Sequence, residues 1–118
     1  DLVELLAAAA NQKLDTVCIN IDERYAATVV AVSGGYPGEY KKGIAMKGLD
    51  TVTENETILF HCGTRQQDNE TLTNGGRVFC ITSYGDSVKN AVEKSKTAMQ
   101  KISFDGMYFR SDIGYEFM

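Results

Sequence analysis

Arg77 stands directly behind a tight Thr73-Asn74-Gly75-Gly76 stretch, at the start of an apolar run. A basic side chain held where the backbone bends sharply is well placed for an anion such as phosphate. A guanidinium grips phosphate through two parallel N–H bonds and keeps its charge at neutral pH. The segment 33–43 holds Gly34, Gly35 and Gly38, the single proline Pro37, two tyrosines and the Lys41-Lys42 pair. Its backbone amides, with Tyr36 or Lys42, are candidates for lining a substrate pocket, because glycine lets the chain approach a ligand closely. Each motif also has a plainer reading. Arg77 would cap a strand and pair with a surface acid. Pro37 and Gly38 would fill the second and third positions of a turn. Asn74-Gly75 would be a hairpin turn, or would both turn the chain and set the exit angle of Arg77. Turn chemistry does not require Gly34 and Gly35.

Other residues offer less. His61, the one histidine, alternates with Phe60 and Cys62 and is expected to be a half-buried ring with local hydrogen bonds rather than a general base. The cysteines Cys18, Cys62 and Cys80 show no C-x-x-C spacing, so a zinc site is not expected. They read as small buried hydrophobes of a reduced, cytoplasmic protein. Asp15, Asp22, Glu23, Asp50 and Glu54 read as solvated loop charges. Arg110 and Asp112 either pair with each other or touch a neighbouring domain.

The 118 residues suffice for one domain with a real core. A formal net charge of −4 argues against a nucleic-acid module, so any anion site is local. The apolar run 5–10 is too short to span a membrane, and the acidic first residue does not open a signal peptide.

The elements that must position these residues follow from periodicity. Asp1 caps a helix expected over about Leu2–Gln12, with Glu4 in the capping-box place. Opening without methionine on a helix cap, the chain is expected to be a segment of something longer. Residues 16–22 alternate like a strand and are expected to form a hairpin with a longer strand over 24–33. Residues 43–47 form a weak strand and 57–63 a strong one. Residues 65–70 read as a polar hairpin tip with 71–73 returning. Residues 76–84 are the most apolar strand, expected at the centre of the sheet. Asp86 is expected to cap a second helix in which Val88, Ala91, Val92, Ser95, Ala98, Met99 and Ile102 share a face. Lys94, Lys96 and Lys101 suit the C-terminal end of its dipole. A short strand over 107–109 follows. The expectation is an α+β fold with a mainly antiparallel sheet, one N-terminal helix and one long helix near the C-terminus.

Read together, several blocks resemble one family. They are Gly34-Gly35-Tyr36-Pro37-Gly38 with Tyr40 and Lys42-Gly43, then Phe60-His61-Cys62-Gly63-Thr64, where the family usually has a small residue in place of the cysteine. Thr73-Asn74-Gly75-Gly76-Arg77-Val78, the Gly85-Asp86 helix start and Phe104 to Gly114 complete the series. In this order, over roughly residues 1–115, they resemble the C-terminal domain of phosphoribosylamine–glycine ligases (glycinamide ribonucleotide synthetases) of the ATP-grasp superfamily. The resemblance implies that residues 1–118 are the C-terminal domain of an enzyme joining phosphoribosylamine to glycine in de novo purine biosynthesis. It implies that ATP and magnesium bind in other domains of the parent chain, with none bound in this segment, no catalytic residue here and no activity of the segment alone. It also implies that Arg77 matches an arginine reaching the substrate 5′-phosphate, with Gly35, Tyr36, Pro37, Lys42, Gly75 and Gly76 as substrate-binding candidates. The competing expectation is a stand-alone small-ligand-binding or oligomerisation module whose glycines serve folding only.

Overall fold

The computed structural model describes residues 1–117. A helix α1 (Leu2–Ala10) is followed by strand β1 (Tyr25–Val32), strand β2 (Thr57–His61), and the pair β3 (Thr64–Gln67) and β4 (Glu70–Thr73). Strand β5 (Arg77–Gly85) and helix α2 (Val88–Met99) complete the regular elements. The strands form an antiparallel three-stranded sheet of order β1-β5-β2 and a separate β3-β4 ribbon. The fold is α+β, with the apolar strand β5 at the centre of the main sheet, as its composition predicts.

One face of that sheet carries Val29, Ala31, Phe79 and Ile81, all buried. Helix α2 lies against it through Ala91, Val92, Ser95, Ala98 and Met99. Helical spacing places these residues on one stripe, and burying the stripe supplies most of the stability of so short a helix. Ser95 Oγ donates to Ala27 O at 2.8 Å, so this buried hydroxyl of the seam is satisfied. The rings of Phe79 and Phe104 meet edge-to-face, with centroids 6.4 Å apart.

Several expectations are corrected. Residues 16–22 form no strand: a short 3₁₀ turn at Leu14–Thr16 precedes an unpaired extended stretch, leaving Ile19 and Ile21 exposed. Alternation makes a strand only where an edge accepts it, and β1 pairs with β5 instead. Asp22 turns the chain by accepting from Arg24 N at 3.0 Å. Residues 43–47 contribute isolated bridges, Ala45 to Leu72 and Lys47 to Ser103, rather than a strand, and in the 107–109 stretch Tyr108 bridges Val32 in the same way. The polar stretch at 65–67 belongs to β3, and its hairpin tip shrinks to Asp68 and Asn69, both at positive φ. Two positive-φ residues are what a tight two-residue hairpin requires. Ser87, not Asp86, caps α2, its Oγ accepting from Asn90 N at 3.1 Å. The cysteines are not buried: Cys18 and Cys62 are exposed and Cys80 is half-buried.

Asp22 and Glu54 are loop charges, as expected, but each is engaged in an ion pair. Arg24 bridges Asp22 at 2.6 Å and Glu56 at 2.9 Å, and lies 4.3 Å from the Tyr84 ring centroid. Lys94 reaches Glu56 at 2.9 Å, and Lys101 pairs with Glu54. Hydrogen bonding from Arg24 lowers the Asp22 carboxyl to about 2. Lys94 and then Arg24 lower Glu56, and Lys101 lowers Glu54. A carboxyl with a depressed folded pKa stabilises the fold above its unfolded value, near 4, and that contribution is lost as pH falls through the folded value. The melting temperature is therefore expected to hold between about pH 5 and 7 and to fall between about pH 4 and 2. Glu56→Gln should flatten that fall, which thermal melts across the range would measure.

Candidate functional site

The two glycine-rich segments, forty residues apart in sequence, meet in space. Ser33, buried at the end of β1, joins them: its Oγ donates to Gly75 O at 2.9 Å and its N–H donates to Gly76 O at 2.8 Å. The first segment turns at once, with Tyr36 N donating to Ser33 O at 3.0 Å. Gly35 takes φ +96° at the third position of this turn, which favours glycine. The turn thus lies at Ser33–Tyr36, earlier than Pro37-Gly38 in the chain, and the Tyr36–Pro37 peptide is cis. This register accounts for Gly35, and Gly34 is required separately because a Cβ there would lie 2.7 Å from Gly106 O.

The second segment is not a hairpin turn. It carries the chain from the β3-β4 ribbon into the main sheet. Asn74 N donates to Gly63 O at 2.7 Å, and Gly63 N donates to Arg77 O at 2.9 Å. A Cβ on Gly63 would lie 2.6 Å from Arg77 O and 2.7 Å from Gly75 Cα. Gly76 leaves no room for a side chain because the Tyr36 ring rests on it. Two backbones and one aromatic ring therefore fix the entry of β5.

A bulge sets the direction of Arg77. Val32 pairs with Arg77 while Ala31 pairs with Phe79, so Val78 is an extra residue in β5. Such a bulge re-aims neighbouring side chains. Val78 and Phe79 are both buried, and Arg77 is exposed. It lines an apolar groove of about 270 Å³ with Val30, Val32, Tyr36, Tyr108 and Arg110. It also borders a shallower recess of about 640 Å³, lined by Val30, Tyr36, Cys62, Gly63, Gly76 and Cys80. Arg77 stands between the two hollows. Among the described residues it makes no ion pair. Arg110, the other cation of the groove, is held by Asp112 through two contacts of 3.0 Å. That pairing raises the Arg110 guanidinium and lowers the Asp112 carboxyl.

The geometry thus gathers Tyr36, Gly76 and Arg77, with Gly75 immediately behind them. Gly35 and Pro37 shape the turn carrying Tyr36 but do not line the groove. Lys42 lies away from it, its Nζ 5.9 Å from the Tyr40 ring centroid. A separate hollow between Gly34, Glu39, Tyr40, Lys41 and Asp105 shares no lining residue with the Arg77 groove. His61 is exposed and bonded locally, Nδ1 to Thr64 Oγ1 at 3.0 Å. Ser33, Val30 and Tyr108 escaped sequence reasoning, since an isolated serine or valine carries no pattern of its own. Ser33→Ala would leave the partly buried carbonyl of Gly75 without its donor. A loss of about 1–3 kcal/mol is expected, to be read from the denaturant midpoint of the variant.

The family model for the phosphoribosylglycinamide synthetase C domain matches residues 26–116. A phosphoribosylamine–glycine ligase of Vibrio parahaemolyticus is 44% identical over 115 residues, 98% of this chain and 27% of that protein. The ligase of Caldanaerobacter subterraneus is 42% identical over 96% of the chain and 27% of its own length. A bifunctional purine biosynthetic protein of Schizosaccharomyces pombe is 39% identical over 98% of the chain and 14% of its length. The chain thus spans about a quarter of the bacterial relatives. The solved phosphoribosylamine–glycine ligase of Thermotoga maritima superposes with a TM-score of 0.72 at 25% identity, over 92% of this chain and 27% of that one.

Proposed function

The chain belongs to the phosphoribosylglycinamide synthetase C-domain family, and we propose that residues 1–118 serve as the C-terminal domain of an ATP-dependent phosphoribosylamine–glycine ligase, where they form the wall holding the substrate's ribose phosphate. The observation that carries this reading is Arg77: an exposed guanidinium without an acidic partner among the described residues, aimed by a bulge into a groove where two glycine segments meet. Arg110, neutralised by Asp112, is the weaker anion ligand of the two. Tyr36, Gly75 and Gly76 shape the wall beside Arg77. Gly35 and Pro37 hold Tyr36 in place, and Lys42 contributes at most long-range positive charge.

The work of the domain is binding and orientation. A bidentate grip on the 5′-phosphate fixes one end of the substrate, so that its amine is presented in a constant direction. ATP and magnesium supply the activation chemistry from the other domains of the parent chain. Among the described residues no group of three histidine, cysteine, aspartate or glutamate side chains is placed to hold a metal, and no helix is long and apolar enough to cross a membrane.

The exposed surfaces fit a domain that docks on the rest of its chain. Helix α1 buries none of its residues, leaving Leu2, Val3 and Leu6 open. Apolar area of that kind marks an interaction surface.

Arginine footprinting tests the reading. The full-length ligase would be treated with phenylglyoxal, with and without glycinamide ribonucleotide, and its peptides weighed. The product should protect Arg77 and leave Arg110 nearly unchanged. Equal labelling of Arg77 in both samples would refute the assignment.

A further inference from the structure

We propose that Cys62 and Cys80 form a paired-thiol modification site, converted by a peroxide into an intramolecular disulfide across β2 and β5. The two residues are eighteen apart in sequence, and the strand register brings them together. Phe60 pairs with Cys80, and the ladder continues one step past β2, with Cys62 N donating to Val78 O at 3.0 Å. Cys62 and Cys80 are therefore diagonal neighbours on the same outward face, the face without a covering element among the described residues. Both line the recess beside Arg77.

Diagonal neighbours stand roughly 7–8 Å apart at Cα, and a disulfide needs about 7 Å or less. Cys62 lies beyond the last paired residue of β2, so a shift of its Cα by about an ångström brings the pair into that range. Burial raises the pKa of the Cys80 thiol, and the neighbouring Cys62 thiol raises it further.

Exposure assigns the roles. Cys62 is open to solvent and Cys80 is half-buried, so Cys62 meets the peroxide and Cys80 resolves the product. The Cys62 sulfur attacks one peroxide oxygen, the O–O bond breaks, and the departing oxygen leaves as water or alcohol, giving a sulfenic acid. The Cys80 sulfur then attacks the Cys62 sulfur, the S–O bond breaks, and water departs as the S–S bond forms. Two thiols lose two electrons and two protons, and the peroxide is reduced. Cys18 lies in the exposed stretch before β1, with its Sγ near Asn20, and takes no part. The chemistry stands independently of the role given to Arg77.

Peptide mapping decides. The protein would be exposed to hydrogen peroxide, its remaining thiols alkylated, and the product digested without reductant. A linked pair of peptides carrying Cys62 and Cys80 is expected, lighter by two hydrogens than the reduced pair. Cys18→Ser should leave its yield unchanged, and Cys62→Ser should abolish it. In Cys80→Ser, dimedone should trap a sulfenic acid on Cys62. Oxidation of Cys62 to the sulfinic acid in the unmutated protein, with Cys80 still open to alkylation, would overturn the proposal. So would linkage through Cys18 as the main product.

Discussion

Arg77→Ala in the full-length ligase is expected to lower kcat/KM for phosphoribosylamine by about 2–4 kcal/mol of transition-state binding, roughly 30- to 1000-fold. The size follows from the chemistry at stake. A phosphate that loses a bidentate cationic partner keeps its charge but loses two of its strongest hydrogen bonds. The loss should fall on the phosphoribosyl substrate, because on the proposed reading ATP binds in the other domains of the parent chain, so the KM for ATP should move little. Arg77→Lys should recover only part of the loss, since an ammonium offers a point charge without the planar fork. Stability provides the control. Arg77 is exposed and without an ion pair among the described residues, so the variant should melt within a degree or two of the parent. Wild-type steady-state kinetics in the alanine variant would rule out the role.

Phe79→Ala should be the most damaging single change to the fold. Phe79 is fully buried on β5, covered by α2, and its ring meets Phe104 edge-to-face. Removing a ring from such a site costs about 3–5 kcal/mol, the transfer term plus the cavity left behind. For a domain of this size that is a fall of roughly 10–20 °C in Tm. Because Phe79 follows the bulge residue Val78 and Arg77, its loss should also loosen the groove. A thermal melt reads the first effect. A melting temperature within a few degrees of the parent would mean that the core collapses around the gap.

Much of this architecture was legible because burial writes itself into residue order. Val78, Phe79 and Ile81 mark β5 as the central strand, and the stripe from Ala91 to Met99 marks the packed face of α2, which ends before the expected Ile102. Both depend on local period alone. The features that escaped depend on partners far along the chain. Residues 16–22 alternate correctly but meet no free edge. Thr64 to Gln67 look like loop because they are polar, yet they pair with Glu70 to Thr73 through a positive-φ turn. The site was half visible. The glycines and Arg77 announce a bend with a charge behind it. That Ser33 fastens one glycine segment to the other, and that a bulge aims Arg77, depends on register between β1 and β5, which no single stretch encodes. The cysteines show the same limit: their apolar neighbours suggest burial, while strand alternation turns Cys62 and Cys80 to the uncovered face.

The central claim is that Arg77 holds the ribose phosphate. A crystal structure of the full-length ligase with glycinamide ribonucleotide tests it most directly. Two phosphate oxygens should accept N–H bonds from the Arg77 guanidinium at about 2.7–2.9 Å, with the Tyr36 ring and Gly76 beside them. A phosphate bound by other side chains, with Arg77 pointing into solvent, would contradict the account.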